Sequence, residues 1–269
     1  MASWFDVAGF SYQEFSAGGT RTFAVVEGQS GAFPLVLLHS IPGASFVWST
    51  TIQVMGRKTR CIAPDFPGWG RSRNRMAVQK NELSRQILRH WLAEVIEAQQ
   101  CAQCDLMGLG DGAWLATDYL LEHPEKVRRL GLLNLPLTGV SERKFKWPWQ
   151  TADWTRSRLQ EWLKNSGANT SHAEPMFQEL FAGGRHAERS PEIPSDDFRQ
   201  ELAVYRDSLR RFEGETWLVW GESAAGVDPK LATEFALGRR AEIWQGAGNF
   251  PMWEQPERYT SEIRDFFGP

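Results

Sequence analysis

Three glycines at alternate positions, Gly108, Gly110 and Gly112 in MGLGDGAW, constrain this chain more than any other stretch. They join an apolar run, CDLMGLG, to a helical pattern, GAWLATDYLLEHP, that Pro124 stops. Glycines so spaced at a strand-to-helix junction imply a bend too tight for side chains on its flanks, in a backbone conformation that glycine adopts at least cost. A chain built around such a bend is committed to strand followed by helix.

The flanking sequence repeats that alternation. TRTFAVVEG alternates as an antiparallel strand does, and PLVLLHS is a short continuous apolar run of the kind buried on both faces. RCIAPDFPGWGRS ends a strand at Pro64 and Asp65 and continues as a Pro and Gly loop; residues 82–99 carry apolar side chains at helical spacing; VRRLGLLNL is a further strand. These units predict a doubly wound α/β sheet with its site at the strand carboxyl ends, residues 39–43, 65–70 and 108–112. From about 138 to 212 the pattern becomes helical, aromatic and charged, and TWLVWGE, RAEIWQGAG and EQPERYTSEIRDFF then return to strand, strand and helix. The expected organisation is a core of residues 1–137 and 213–269 and a helical cap of 138–212.

Composition narrows the function. A net charge of -3 and a pI near 6.0 give no electrostatic reason to expect nucleic acid or an anionic membrane, so the expected partner is a small molecule. The three cysteines are too few for a disulfide framework, and the Cys101–Cys104 pair lacks the second pair or His cluster that would complete a zinc site. No metal or cofactor is called for. With no secretory signal pattern and no long apolar run, the expected location is the cytoplasm. The 13 tryptophans exceed what an ordinary core uses and suit an aromatic-lined pocket.

The order of motifs resembles the α/β-hydrolase superfamily, in the capped branch that includes haloalkane dehalogenases, epoxide hydrolases and meta-cleavage-product hydrolases. LLHSIPGASFVW resembles its His-Gly-x-Pro-Gly loop, APDFPGWGRS its Asp-x-x-Gly-x-Gly-x-Ser loop, DLMGLGDGAWLA its nucleophile elbow, LVWGES its acid-bearing strand and GAGNFPMWEQPE its histidine loop. The resemblance implies a mostly parallel eight-stranded sheet flanked by helices, with a cap inserted. It also locates three departures. The elbow formula places the nucleophile at Gly110, the histidine falls on Asn249, and the acid falls on Ala224, or on the amide Asn134 in the register where it follows the sixth strand. Acyl transfer needs a nucleophile, a base and an orienting acid acting as one unit, so a Ser-His-Asp hydrolase is not expected. His39 belongs to the loop motif, His90 and His123 sit on helices away from the strand ends, and only the cap residues His172 and His186 are placed to enter a site from above.

Other parts of a site are expected to survive. The resemblance puts oxyanion-hole N–H groups at Ile41 and Asp111, with His39 and Ser40 beside them, and turns the Asp111 side chain toward the cavity. Asp111 is then a candidate acid or base, or an anchor for a cation; as an ordinary residue it favours a helix start. Trp147, Trp149 and Trp154 of the cap, with Trp114 and Trp253 of the core, are candidate ligand contacts, each with the alternative of packing cap to core. The expected function is binding of a small, largely apolar or aromatic molecule between core and cap without hydrolysis. Two alternatives stand beside it: an unconventional lyase, isomerase or cyclase working through Asp111 and the oxyanion amides, and a scaffold that uses the surface of the fold.

Overall fold

In a computed structural model, residues 9–29, 33–41, 43–72, 85–137, 161, 164, 175, 178–179, 195–224, 226–236 and 238–268 are described, residues 195–199 by their backbone alone. Among them the strands β1 (Tyr12–Ala17), β2 (Thr20–Glu27), β3 (Leu35–Leu38), β4 (Cys61–Pro64), β5 (Cys104–Leu109), β6 (Val127–Leu133), β7 (Glu215–Gly221) and β8 (Arg240–Trp244) form one sheet, ordered β1-β2-β4-β3-β5-β6-β7-β8. The first two pairings, β1 with β2 and β2 with β4, are antiparallel, and the rest are parallel. The expected mostly parallel eight-stranded sheet is present. Every residue of β3, β4 and β5 is buried, as strands covered on both faces require.

The helices are α1 (Ser49–Met55), α2 (Arg85–Ala98), α3 (Asp111–Glu122), α4 (Ser195–Arg211), α5 (Pro229–Ala236), α6 (Pro251–Glu254) and α7 (Pro256–Phe267). Helix α2 faces the core with Leu88, Trp91, Leu92, Val95 and Ile96. Helix α3 is buried from Gly112 to Leu120, which its position over the centre of the sheet demands. Strand β1 has no counterpart in the sequence reading, because its mostly exposed residues YQEFSA carry no apolar alternation. Its signal is Gly18-Gly19, both at positive φ (55° and 67°), which close a two-residue hairpin between Ala17 and Thr20.

From β3 the chain steps outward to β4, between β3 and β2, and returns to pair β5 on the other side of β3. Adjacent parallel strands whose connections leave in opposite directions open a crevice at their carboxyl ends. That switch point places the loop after β3 beside the turn after β5.

Candidate functional site

Gly110 is the tip of the strand-to-helix bend, at φ 56° and ψ −117°, a region closed in practice to residues with a Cβ unless the surroundings enforce it. Its N–H bonds the Leu133 carbonyl of β6 at 2.9 Å, and its own carbonyl accepts from Ala113 and starts α3. The neighbouring glycines are sterically required. A Cβ on Gly108 would lie 2.2 Å from the Gly112 carbonyl oxygen, and one on Gly112 would lie 2.2 Å from that of Leu38. The alternate spacing in the sequence is therefore the signature of a helix pressed into the strand layer.

Asp111 follows the tip, and its side chain turns toward the loop after β3, where Oδ2 accepts the Ile41 N–H at 3.1 Å. The Ile41 amide, expected as half of an oxyanion hole, carries the protein's own Asp111 carboxylate in this structure. A carboxylate is held well by a backbone N–H beside a helix N-terminus, the same physics that favours a bound anion there.

His39 is wholly buried and uses both ring nitrogens: Nε2 accepts the Phe66 N–H at 2.9 Å, which leaves Nδ1–H to donate to the Ser40 carbonyl at 2.8 Å. Burial lowers its pKa to about 4, with the bond to Ser40 acting in the opposite direction, so the ring is neutral. His39 shapes the loop through these two bonds. Ser40, between buried His39 and buried Ile41, is partly exposed. The Asp65 carboxylate organises the third loop by accepting from Ser45 N–H at 2.6 Å and Arg71 N–H at 2.8 Å. Burial raises its pKa to about 6 against the pull of those two amides.

On the far side of the crevice, Ala224 is buried in the turn after β7, its N–H on the Gly221 carbonyl. The acids around it have other duties: Glu222 accepts from Gly246 N–H, and Asp228 caps α5 through Lys230 N–H at 2.8 Å. Asn134, at φ 49°, uses both ends of its amide, accepting the Gly221 N–H at 2.7 Å and donating to the Gly248 carbonyl at 2.9 Å. Glu254 holds the same loop from below, accepting from Gly248 N–H and from Phe250 N–H at 3.2 Å. Asn249 stands between these fixed points, partly exposed. The loop that would carry a histidine is thus built without one.

The tryptophan expectations divide. Trp114 is buried beneath Tyr205 of α4, ring centroids 4.6 Å apart, with Arg85 over its face at 5.3 Å, contacts that pack α3 against α4. Trp253 is also buried, stacked on Phe250 at 4.7 Å and against Phe46 at 5.8 Å. Trp147, Trp149 and Trp154, and the cap histidines His172 and His186, lie outside the described residues. Contacts of the 138–212 segment with the rest of the chain are described as well. Glu179, itself buried, takes a bidentate bond from Arg71 at 2.7 and 3.0 Å, and α4 joins a cluster around the buried Asp118 carboxylate. Asp118 accepts from Arg85 at 2.6 and 2.7 Å, from Arg89 at 3.0 Å and from the Tyr205 hydroxyl. Nothing in the sequence marked Asp118; a buried acid on a helix facing two arginines is visible only once the helices are placed.

Cys61, Cys101 and Cys104 are unpaired and buried, and burial pushes the Cys61 thiol up to about 12 and raises the other two. Thiol chemistry is disfavoured at all three. Among the described residues there is no cluster of acidic, histidine or cysteine side chains suited to a metal ion, and no helix is long and apolar enough to cross a membrane.

Residues 35–262 match the profile of the alpha/beta hydrolase family. The chain is 26% identical to the uncharacterized carboxylesterase nap of Bacillus subtilis over 92% of this chain and 83% of that one. It is 26% identical to the 2-hydroxymuconate semialdehyde hydrolase of Pseudomonas sp. strain CF600, over 94% of this chain and 93% of that one. Among solved structures, a serine-to-glycine mutant of the N-acyl homoserine lactonase AidH, complexed with N-hexanoyl homoserine lactone, superposes with a TM-score of 0.73 at 17% identity, covering 96% of this chain and 97% of that one.

Proposed function

The chain belongs to the alpha/beta hydrolase family, and on that premise we propose that it binds a small, largely apolar or aromatic molecule between core and cap and does not hydrolyse it. The relatives' names are mostly those of hydrolases, and their chemistry does not carry over to a centre with these side chains. One observation carries the reading: the Asp111 carboxylate rests on the Ile41 amide, immediately beside a bend whose tip is Gly110. The tip offers no side-chain atom to attack a carbonyl, and one of the two amides expected to receive an oxyanion already has a carboxylate oxygen on it.

The magnitude of that second point separates binding of a neutral ligand from binding of an anion. Two unit negative charges about 4 Å apart at an effective dielectric of about 20 repel by about 4 kcal/mol. That erases what one oxyanion-hole donor supplies, about 3–4 kcal/mol. A neutral ligand meets no such penalty. The complex of the glycine-for-serine AidH mutant with its acyl homoserine lactone supports the same view, since a member of this fold with a serine so replaced holds a ligand.

Tryptophan fluorescence titrated with benzamide, N-hexanoyl homoserine lactone and a panel of small aromatic compounds tests this. The expected result is saturable quenching by at least one neutral compound, with the compound recovered unchanged. A flat response across the panel contradicts pocket binding and favours the scaffold reading; conversion of a bound compound that is lost in Asp111→Asn restores the acid or base role.

A further inference from the structure

The site contains an exchange of side chains that neither motif reveals alone. A Cβ built on Gly110 would lie 3.0 Å from the Ser40 Cβ and 3.1 Å from its Oγ, with the Ser40 Cα next at 4.0 Å. The side chain of residue 40 therefore crowds the space that a side chain at the tip would need. Residue 40 is also the position at which the His-Gly-x-Pro-Gly loop has its first glycine. We propose that Ser40 and Gly110 are a reciprocal replacement, glycine at the tip accommodating serine in the loop, and that the Ser40 hydroxyl is the group at the floor of the site that meets the polar end of a neutral ligand.

The orientation of Ser40 is fixed from its backbone. Its carbonyl accepts the His39 Nδ1–H at 2.8 Å, and the turn is so close that a Cβ on Gly43 would lie 2.2 Å from that same oxygen. Among the described residues the hydroxyl itself has no hydrogen-bond partner, and Ser40 is partly exposed where both its neighbours are buried. A partly exposed hydroxyl beside the tip at Gly110, with no partner among the described residues, is a ligand contact. It is not a nucleophile, because the adjacent imidazole has both nitrogens engaged and stays neutral at physiological pH. The ligand end it fits is not an anion, and a carbonyl, amide or hydroxyl suits it, since the Asp111 carboxylate lies on the next amide along the loop. This second clause rests on the binding reading above; the exchange itself does not.

Two measurements keep the parts separate. In a cycle of Ser40→Gly, Gly110→Ser and their combination, the double variant is expected to melt several degrees above Gly110→Ser, because the crowding is gone. The same comparison with Gly110→Ala keeps the cycle readable if the serine variant does not fold. Equal losses at position 110 whether residue 40 is serine or glycine, or failure of both position-110 variants to fold even with glycine at 40, overturn the exchange. In the second measurement, Ser40→Ala is expected to weaken benzamide binding about fivefold to tenfold, the loss typical of one hydrogen bond, while benzoate binds neither protein. Unchanged benzamide affinity overturns the ligand contact. No benzamide binding to the unaltered protein overturns the contact for that class and counts against the pocket, whereas a positive cycle still upholds the exchange.

Discussion

Asn134 shows how one atom decides what a residue at the strand ends is for. Its amide bridges a donor, Gly221 N–H, and an acceptor, the Gly248 carbonyl, so that only a side chain with one oxygen and one NH₂ satisfies both. Asn134→Asp would set a carboxylate oxygen against the Gly248 carbonyl, and we predict a loss of about 1–3 kcal/mol in chemical denaturation, with Asn134→Ala no worse. A stabilised Asn134→Asp protein would contradict that role and point to an acid site. Gly110→Ser is predicted to cost about 1–3 kcal/mol through its left-handed φ alone, and to confer no esterase activity. At this scale the sequence was most informative where a motif fixes the register: the family resemblance implies the tip at Gly110 and the turn of the Asp111 side chain, which lies toward the loop after β3. It was least informative for Trp114, because helical spacing on α3 suits a cavity wall and a helix–helix seam equally, and the outcome depended on Tyr205, far away in the chain.

Among the elements, α3 carries the most coupled interactions. Its Asp118 joins α2 through Arg85 and Arg89 and α4 through Tyr205, so the helix that begins at the site also anchors the helix that leads out of the 138–212 segment. Breaking a buried charge cluster from its acidic centre costs about 3–5 kcal/mol. Both arginines reach solvent in part, so Asp118→Ala should fall near 3 kcal/mol, read from the denaturation midpoint; a change below about 1 kcal/mol would show the cluster to be incidental. The loop before α6 has a different signature. Burial raises the Glu254 pKa from 4.5 to about 7, against the two amides that pull it down. A carboxyl whose folded pKa is raised gives stability that is full below its unfolded pKa and is lost as pH rises through the folded one. Relative to Glu254→Gln, the unaltered protein should therefore lose stability between about pH 4.5 and pH 7, by up to about 3 kcal/mol. Melting curves for the two that stay parallel across that range would refute the assignment. The long apolar strands and amphipathic helices were readable because burial on both faces or on one face imposes a pattern; β1 escaped because an exposed edge strand imposes none, leaving only its glycine turn as a sign.

For the molecule as a whole, topology explains why so much of the site could be anticipated. Reversal of strand order between β4, β3 and β5 makes the loops after β3 and β5 neighbours, so motifs some 70 residues apart in the chain become one crevice. What the sequence did not disclose are relations across that crevice: the carboxylate of Asp111 on the Ile41 amide, and the Ser40 side chain in the space above Gly110. Each needs two residues that no local pattern connects. A family fold with glycine at the tip of its bend and a carboxylate on the Ile41 amide is proposed to bind without hydrolysing. The most direct test is the hydrolysis rate of a panel of p-nitrophenyl esters with the purified protein beside its Asn249→Ala variant. No turnover distinguishing the two is predicted; robust turnover abolished by His172→Ala or His186→Ala would show a relocated catalytic base and contradict the account.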